Sequence, residues 1–273
     1  MSRAKSRPTA GGNPTQGARA QLRAAQAAQA AKKRRNRIIA TAAIVTVVVA
    51  AIVVAVVLLK PGPVSTADRE PGVASPGAPT QPPNANSTLR AIVANPGKAS
   101  DSAPLVELFF DYQCPMCHTL ETAIGPSLDA LADSGAIRLE YRSMTFLDQM
   151  LGNDSSSRPA IAAACADTVG SYTAYHNQVF ANQPAHEGDG YTDDVLLTTI
   201  PAAIGLTGEK LAAFQQCYTQ RATAAFVAAV DEQAFADGVT GTPTIRVNGK
   251  NFDFSAAYAD PSMLGPLIAQ AAG

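Results

Sequence analysis

Two cysteines three residues apart, Cys114 and Cys117, are the part of this 273-residue chain best equipped for chemistry. Pro115 and Met116 stand between them. A thiol pair at this spacing can close into a disulfide and reopen, and the thiolate is the form that attacks. Placed where a strand gives way to a helix, Cys114 meets the unpaired N–H groups and positive dipole end of the helix, which favour a thiolate. Pro115 suits the first helical turn, where a missing N–H costs nothing. Cys117, one turn in, can close the ring or resolve a mixed disulfide. Zinc is a second use for such a pair, but a structural site needs about four ligands, and the chain has no second Cys-x-x-Cys and no His pair. An inert structural disulfide is a third. Around the pair, Asp111 and Glu121 are candidate proton acceptors for the inner thiol, through position and shifted pKa. His118 is a candidate tuner of the sulfurs. His176 and His186 have no partner spacing and read as surface residues.

The elements that must hold this pair are visible on both sides. Residues 105–110 (LVELFF) form an apolar run of buried-strand length. Leu120, Ala123, Ile124, Leu128 and Leu131 then recur at helical spacing, predicting a helix over 115–134 with a kink at Gly125-Pro126. Ile137, Leu139 and Tyr141 alternate with Arg138, Glu140 and Arg142, a half-buried strand over 136–144. A short strand is expected over 89–95. Residues 148–237 read as mainly helical, with helices over 172–182, from Thr192, over 209–217, and on through Phe226 and Val230 to about 236. A strand over 244–247, the turn Asn248-Gly249, an extended fragment near 252–254 and a helix over 261–271 close the chain. Cys165 and Cys217 lie in the helical block, on apolar faces. Their position predicts that they bond to each other and staple that block. Free buried thiols, or exchange with the first pair, are the alternatives.

Phe109-Phe110-Asp111-Tyr112-Gln113-Cys114-Pro115-Met116-Cys117 resembles the active-site segment of DsbA-type thiol–disulfide oxidoreductases, and residues 238–249 (GVTGTPTIRVNG) are similar to that family's cis-proline loop. The resemblance covers about residues 88–273. It implies an α/β thioredoxin-like fold with a helical insertion at about 148–237. It implies a cis Thr242-Pro243 bond beside the cysteines, with Thr242 offering its backbone to an incoming chain. Cys114 and Cys117 become the catalytic pair. Pro115 and Met116 become the members that tune its potential, methionine standing where well-known oxidases carry histidine. No cofactor or metal is implied. The partners implied are reduced or unfolded exported proteins and a membrane reoxidase of DsbB or vitamin K epoxide reductase type.

Charge and hydropathy divide the rest. Net charge is −1, yet residues 1–37 carry ten Lys or Arg and no acid. Residues 38–59 are uncharged, with Thr41 and Thr46 as the only polar members. Such a run spans roughly 33 Å as a helix, enough for a bilayer. Five basic residues immediately precede it, so the positive-inside rule puts the N-terminus in the cytoplasm and the C-terminal part outside. A basic arm for nucleic acid is the poorer reading of the tail, and a cleaved signal peptide the poorer reading of the run. Residues 60–87 hold seven prolines and read as an extended spacer. Four cysteines, all beyond the apolar run, suit an oxidising compartment. The Ala-rich, basic-tailed layout resembles proteins of high-GC Gram-positive bacteria. Together with the resemblance, these features predict a single-pass, membrane-anchored, extracytoplasmic dithiol oxidase. A reductase or isomerase and a non-catalytic tethered binding or chaperone module are the alternatives.

Overall fold

The computed structural model describes residues 80–88 and 90–273. The basic tail, the apolar run and most of the Pro-rich spacer fall outside them. Among the described residues no helix is long and apolar enough to cross a membrane.

Five strands make one sheet in the order β1-β3-β2-β4-β5. They are β1 (Ile92–Val93), β2 (Leu105–Phe110), β3 (Arg138–Ser143), β4 (Thr244–Val247) and β5 (Lys250–Asn251). β2 runs parallel to β3, and the other pairs are antiparallel. The crossover between β2 and β3 is helix α1 (Pro115–Asp133), which buries Cys117, Leu120, Ile124 and Leu128 against the sheet. It runs through Pro126 without a break. β2 is covered on both faces, which is why it reads as an apolar run rather than an alternation. Leu108 and Phe110 enter the main core; Phe109 joins a second cluster with Met144, Ala234 and Val239.

Between β3 and β4 the chain is helical. It comprises α2 (Phe146–Leu151), α3 (Ser157–Asp167), α4 (Tyr172–Ala181), a π-helical turn (Val195–Thr199) leading into α5 (Ile200–Ala203), α6 (Gly208–Thr219) and α7 (Ala224–Ala236). Thr192 accepts from Val195 N–H at 3.2 Å and starts the π turn. A disulfide joins Cys165 of α3 to Cys217 of α6. After β5 come α8 (Ser255–Ala259), a 3-10 turn (Pro261–Met263) and α9 (Leu264–Ala272). These elements make an α/β thioredoxin-like fold carrying a helical insertion.

Three expectations give way. Arg142 was expected on a solvent face of β3, but the face is covered and Arg142 is buried. Its guanidinium therefore pairs with Glu107 at 2.8 Å and Glu140 at 3.0 Å and lies over the Phe109 ring; a buried charge needs such partners. The extended fragment expected near 252–254 sits earlier, as β5, and α8 follows. The stretch 80–87, read as spacer, packs on the domain. Asn84 donates from its backbone and its side chain to the Asp167 carboxylate, each at 2.8 Å. Thr80 N–H reaches Ala222 O at 2.8 Å, and Ala85 bridges to Ile92.

Candidate active site

The sheet register brings the two motifs together. β4 pairs antiparallel to β2 with Thr244 opposite Phe109, so the residues just before β4 stand beside those just after β2. The Thr242-Pro243 bond is cis. The turn out of β2 closes with Cys114 N–H on Asp111 O at 3.0 Å. Cys114 is the N-cap of α1, in extended conformation, with Pro115 in the first turn. The Cys114 carbonyl accepts the N–H groups of Cys117 and His118 at 3.1 and 3.2 Å. Both thiols are unbonded. The Cys114 thiol donates to Thr242 O at 3.6 Å.

The two thiols differ in the direction the chemistry needs. Cys117 is wholly buried. Burial pushes its thiol well up, and its bond to the Cys114 sulfur adds to that. Cys114 is pulled down to about 6, chiefly by the Cys117 thiol donating to its sulfur. The N–H groups of Cys117 and Met116 and the Thr242 hydroxyl help, against the opposing effect of burial. Sequence reasoning put the helix terminus first; the structure puts the partner thiol first. Cys114 is itself nearly closed, at 8% exposure, whereas Met116 is 55% exposed. The Thr242 hydroxyl oxygen is buried with no hydrogen-bond partner in the resting dithiol, so it is free to serve a thiolate.

Asp111 lies inside the turn, fully buried. Its carboxylate accepts from Gln113 N–H at 2.9 Å, Ser156 Oγ at 2.6 Å and Leu147 N–H at 3.4 Å. Burial nevertheless raises its pKa to about 7, against those bonds. Gln113 Nε2 faces Ser156 Oγ, Asp148 Oδ1 and Asn153 Oδ1 within 3.2 Å. Asp148 in turn accepts the N–H groups of Ser156 and Ser157 at the start of α3.

Two candidates are engaged elsewhere. Glu121 Oε1 is 3.2 Å from His176 Nε2, so its partner is a histidine rather than the inner thiol. Its other oxygen lies over Gly125, where a Cβ would come within 2.5 Å. Glu121 and Gly125 line a pocket of about 190 Å³ that no cysteine touches. His118 shares a hydrogen bond with Phe180 O at 2.9 Å, which ties α1 to α4. His176, read as a surface residue, is completely buried. Its Nδ1 shares a hydrogen bond with the Tyr112 hydroxyl at 2.9 Å, and the rings of Phe110, Tyr141, Tyr172 and Phe180 surround it. It occupies the core because both ring nitrogens find partners there. His186 is exposed, beside Asp189.

Residues that sequence reasoning missed come mostly from the insertion. Gln183 Nε2 donates to Tyr112 O at 2.9 Å and Cys114 O at 3.1 Å. The Tyr191 hydroxyl donates to Tyr112 O at 2.9 Å. Tyr258 of α8 lies near enough to feel charge on both sulfurs. A polar residue that binds main-chain carbonyls leaves no periodic or motif signal, so only Tyr112, inside the motif, was within reach.

Residues 98–264 match a family model described as thioredoxin. No curated protein matches the chain. Among solved structures, reduced DsbA from Mycobacterium tuberculosis is similar at 26% identity over 67% of this chain and 98% of that one, with a TM-score of 0.50. DsbG from the same organism gives 26%, 67%, 92% and 0.50. The thiol–disulfide oxidoreductase MdbA from Actinomyces oris shares the fold, at 21% identity, 67% and 88% coverage and a TM-score of 0.56. With its family model spanning most of the chain and an unequal thiol pair seated against a cis-proline loop, the chain belongs to the thioredoxin family, as a DsbA-type thiol–disulfide oxidoreductase.

Proposed function

We propose that this oxidoreductase works as a dithiol oxidase, held outside the cytoplasm by residues 38–59, that introduces disulfides into exported proteins. A substrate thiolate attacks Cys114 Sγ of the Cys114–Cys117 disulfide. The intramolecular S–S bond breaks, a mixed disulfide forms at Cys114, and Cys117 leaves as a thiolate. Because burial holds Cys117 well above its ordinary pKa, it takes up a proton; Asp111, poised at about 7 in the same turn, is the group proposed to exchange it. A second substrate thiolate attacks the substrate sulfur of the mixed disulfide. Cys114 departs as a thiolate, and the product carries the new disulfide. The enzyme holds two added electrons, which a membrane reoxidase of DsbB or vitamin K epoxide reductase type would remove. The Thr242 backbone beside Pro243 offers an extended substrate chain an edge to pair with.

The observation that carries the oxidase direction is the low pKa of Cys114, about 6. A stable thiolate is a good leaving group, and stabilising the reduced form makes the disulfide more oxidising. The reduction potential of the full-length protein tests this. It should be well above the roughly −270 mV of thioredoxin. Cys117→Ser, given a disulfide-bonded substrate for its Cys114 thiolate to attack, should accumulate the mixed disulfide on Cys114 because no inner thiol releases it, while Cys114→Ser should oxidise nothing. A potential at or below that of thioredoxin would reverse the direction. The reductase or isomerase reading has one observation in its favour, the likeness to DsbG at the same 26% identity, and the potential separates the two.

A further inference from the structure

We propose that the helical insertion sets the reactivity of Cys114 through a single side chain, Gln183, acting as a positioning residue for the redox turn. The proposal rests on Cys114 being the reacting thiol. Gln183 follows the Asn182 C-cap of α4, and its backbone N–H is held by Phe180 O at 3.0 Å. Its side-chain nitrogen then bonds two carbonyls of the turn, Tyr112 O at 2.9 Å and Cys114 O at 3.1 Å. One amide nitrogen thus reaches the residues on either side of Gln113. The peptide N–H between them points to Asp111, which Ser156 of the insertion holds. The turn is pinned from both sides by residues remote in sequence.

The Cys114 carbonyl is the one that matters. It is the first acceptor of α1, taking the N–H groups of Cys117 and His118. The N–H groups of Cys117 and Met116 are also among the donors that favour the Cys114 thiolate. Fixing the carbonyl fixes the peptide planes of this first turn, and hence the aim of those N–H groups at sulfur. The carbonyl oxygens of Tyr112 and Cys114 are also negative dipole ends beside the site. The amide hydrogens of Gln183 offset them. The Tyr112 carbonyl keeps a second side-chain donor in Tyr191; the Cys114 carbonyl has no other side-chain donor among the described residues.

Three variants of the full-length protein test this, each read by ultraviolet thiolate absorbance against pH, by reduction potential, and by melting of the oxidised form. Gln183→Met keeps the length without a donor, Gln183→Glu brings an ionised acceptor, and Gln183→Lys keeps a donor. In Gln183→Met the thiolate ionisation constant of Cys114 should fall about tenfold, one pKa unit, with a correspondingly less oxidising disulfide. Gln183→Glu should fall further, because a carboxylate repels both carbonyls and the thiolate. Gln183→Lys should match the parent or ionise more readily. Equal titration of all four proteins would overturn the proposal. So would equal shifts in the three variants that track their melting, since that marks plain packing. Should Gln183→Met not fold, the order of Lys against Glu decides alone. Thiolate titration does not depend on the direction of the net reaction, so a parent that fails as an oxidase leaves this result readable.

Discussion

Asp111 is sealed in the turn that precedes α1, so its charge state bears on the stability of the fold. Its folded pKa, about 7, lies above the 3.8 of a free carboxylate because burial penalises the charge. Between those values the unfolded chain has lost the proton and the folded chain keeps it, so stability falls as pH rises through this window and levels off above it. Ionising Asp111 in place costs the fold up to about 4 kcal/mol by this linkage. In Asp111→Asn that part of the slope should vanish. The difference in unfolding free energy between parent and variant should change in the variant's favour from pH 5 to pH 8, as measured by denaturant titration. A constant difference would mean that Asp111 is already ionised at pH 5. Sequence alone marked Asp111 as a candidate from its distance to Cys114. It did not distinguish Asp111 from Glu121, because both stand near the pair and only packing shows that one is sealed in the turn and the other drawn off by His176.

Among the elements, α3 carries one of the links between insertion and site, beside that of Gln183. Its N-terminus is held by Asp148, its Ser156 neighbour reaches Asp111, and Cys165 bonds it to α6. The Cys165–Cys217 bond closes a loop of 52 residues. Replacing both cysteines by alanine should therefore lower the unfolding free energy by about 2–4 kcal/mol, measured with the Cys114–Cys117 pair oxidised. Because the contacts to Asp111 lie at the other end of α3, the thiolate titration of Cys114 should stay close to the parent's. A large shift there would show that the staple also sets the site. Helices α1, α4, α6, α7 and α9 and strands β2–β4 were legible because each has a period and an apolar face of ordinary size. α8 and the π turn were not: one is too short for periodicity to register, and the other needs an extra residue per turn that no composition rule marks. Arg142 was misplaced because alternation in β3 names two faces without saying whether α7 covers the second.

At the scale of the molecule, residues 80–88 lie along the edge formed by β1 and the insertion. Asn84 holds Asp167 at the end of α3, and Asn86 reaches Glu140 of β3 at 3.0 Å. This strap connects sheet to insertion independently of the covalent crossovers. Asn84→Ala removes the side-chain bond to a carboxylate that is 2% exposed and leaves it the backbone N–H alone. Its unfolding free energy should drop by about 1–3 kcal/mol, against a near-neutral change for Thr88→Ala at the exposed end of the strap. Equal small effects would show that the strap only rests on the surface. Composition assigned these residues to the spacer because proline and asparagine dominate them. Pairing by edge bonds needs no apolar pattern, so it left no trace.

The chain contains no tryptophan, and Tyr258 sits where it feels the charge of Cys114 and Cys117. Its phenol is raised first by burial and then by negative charge on those sulfurs. Closing the disulfide removes the charge and leaves the burial. The Tyr258 phenol should therefore titrate lower in the oxidised protein than in the reduced one, and because the chain has seven tyrosines, the component of the ultraviolet titration that Tyr258→Phe removes is the one that reports the redox state.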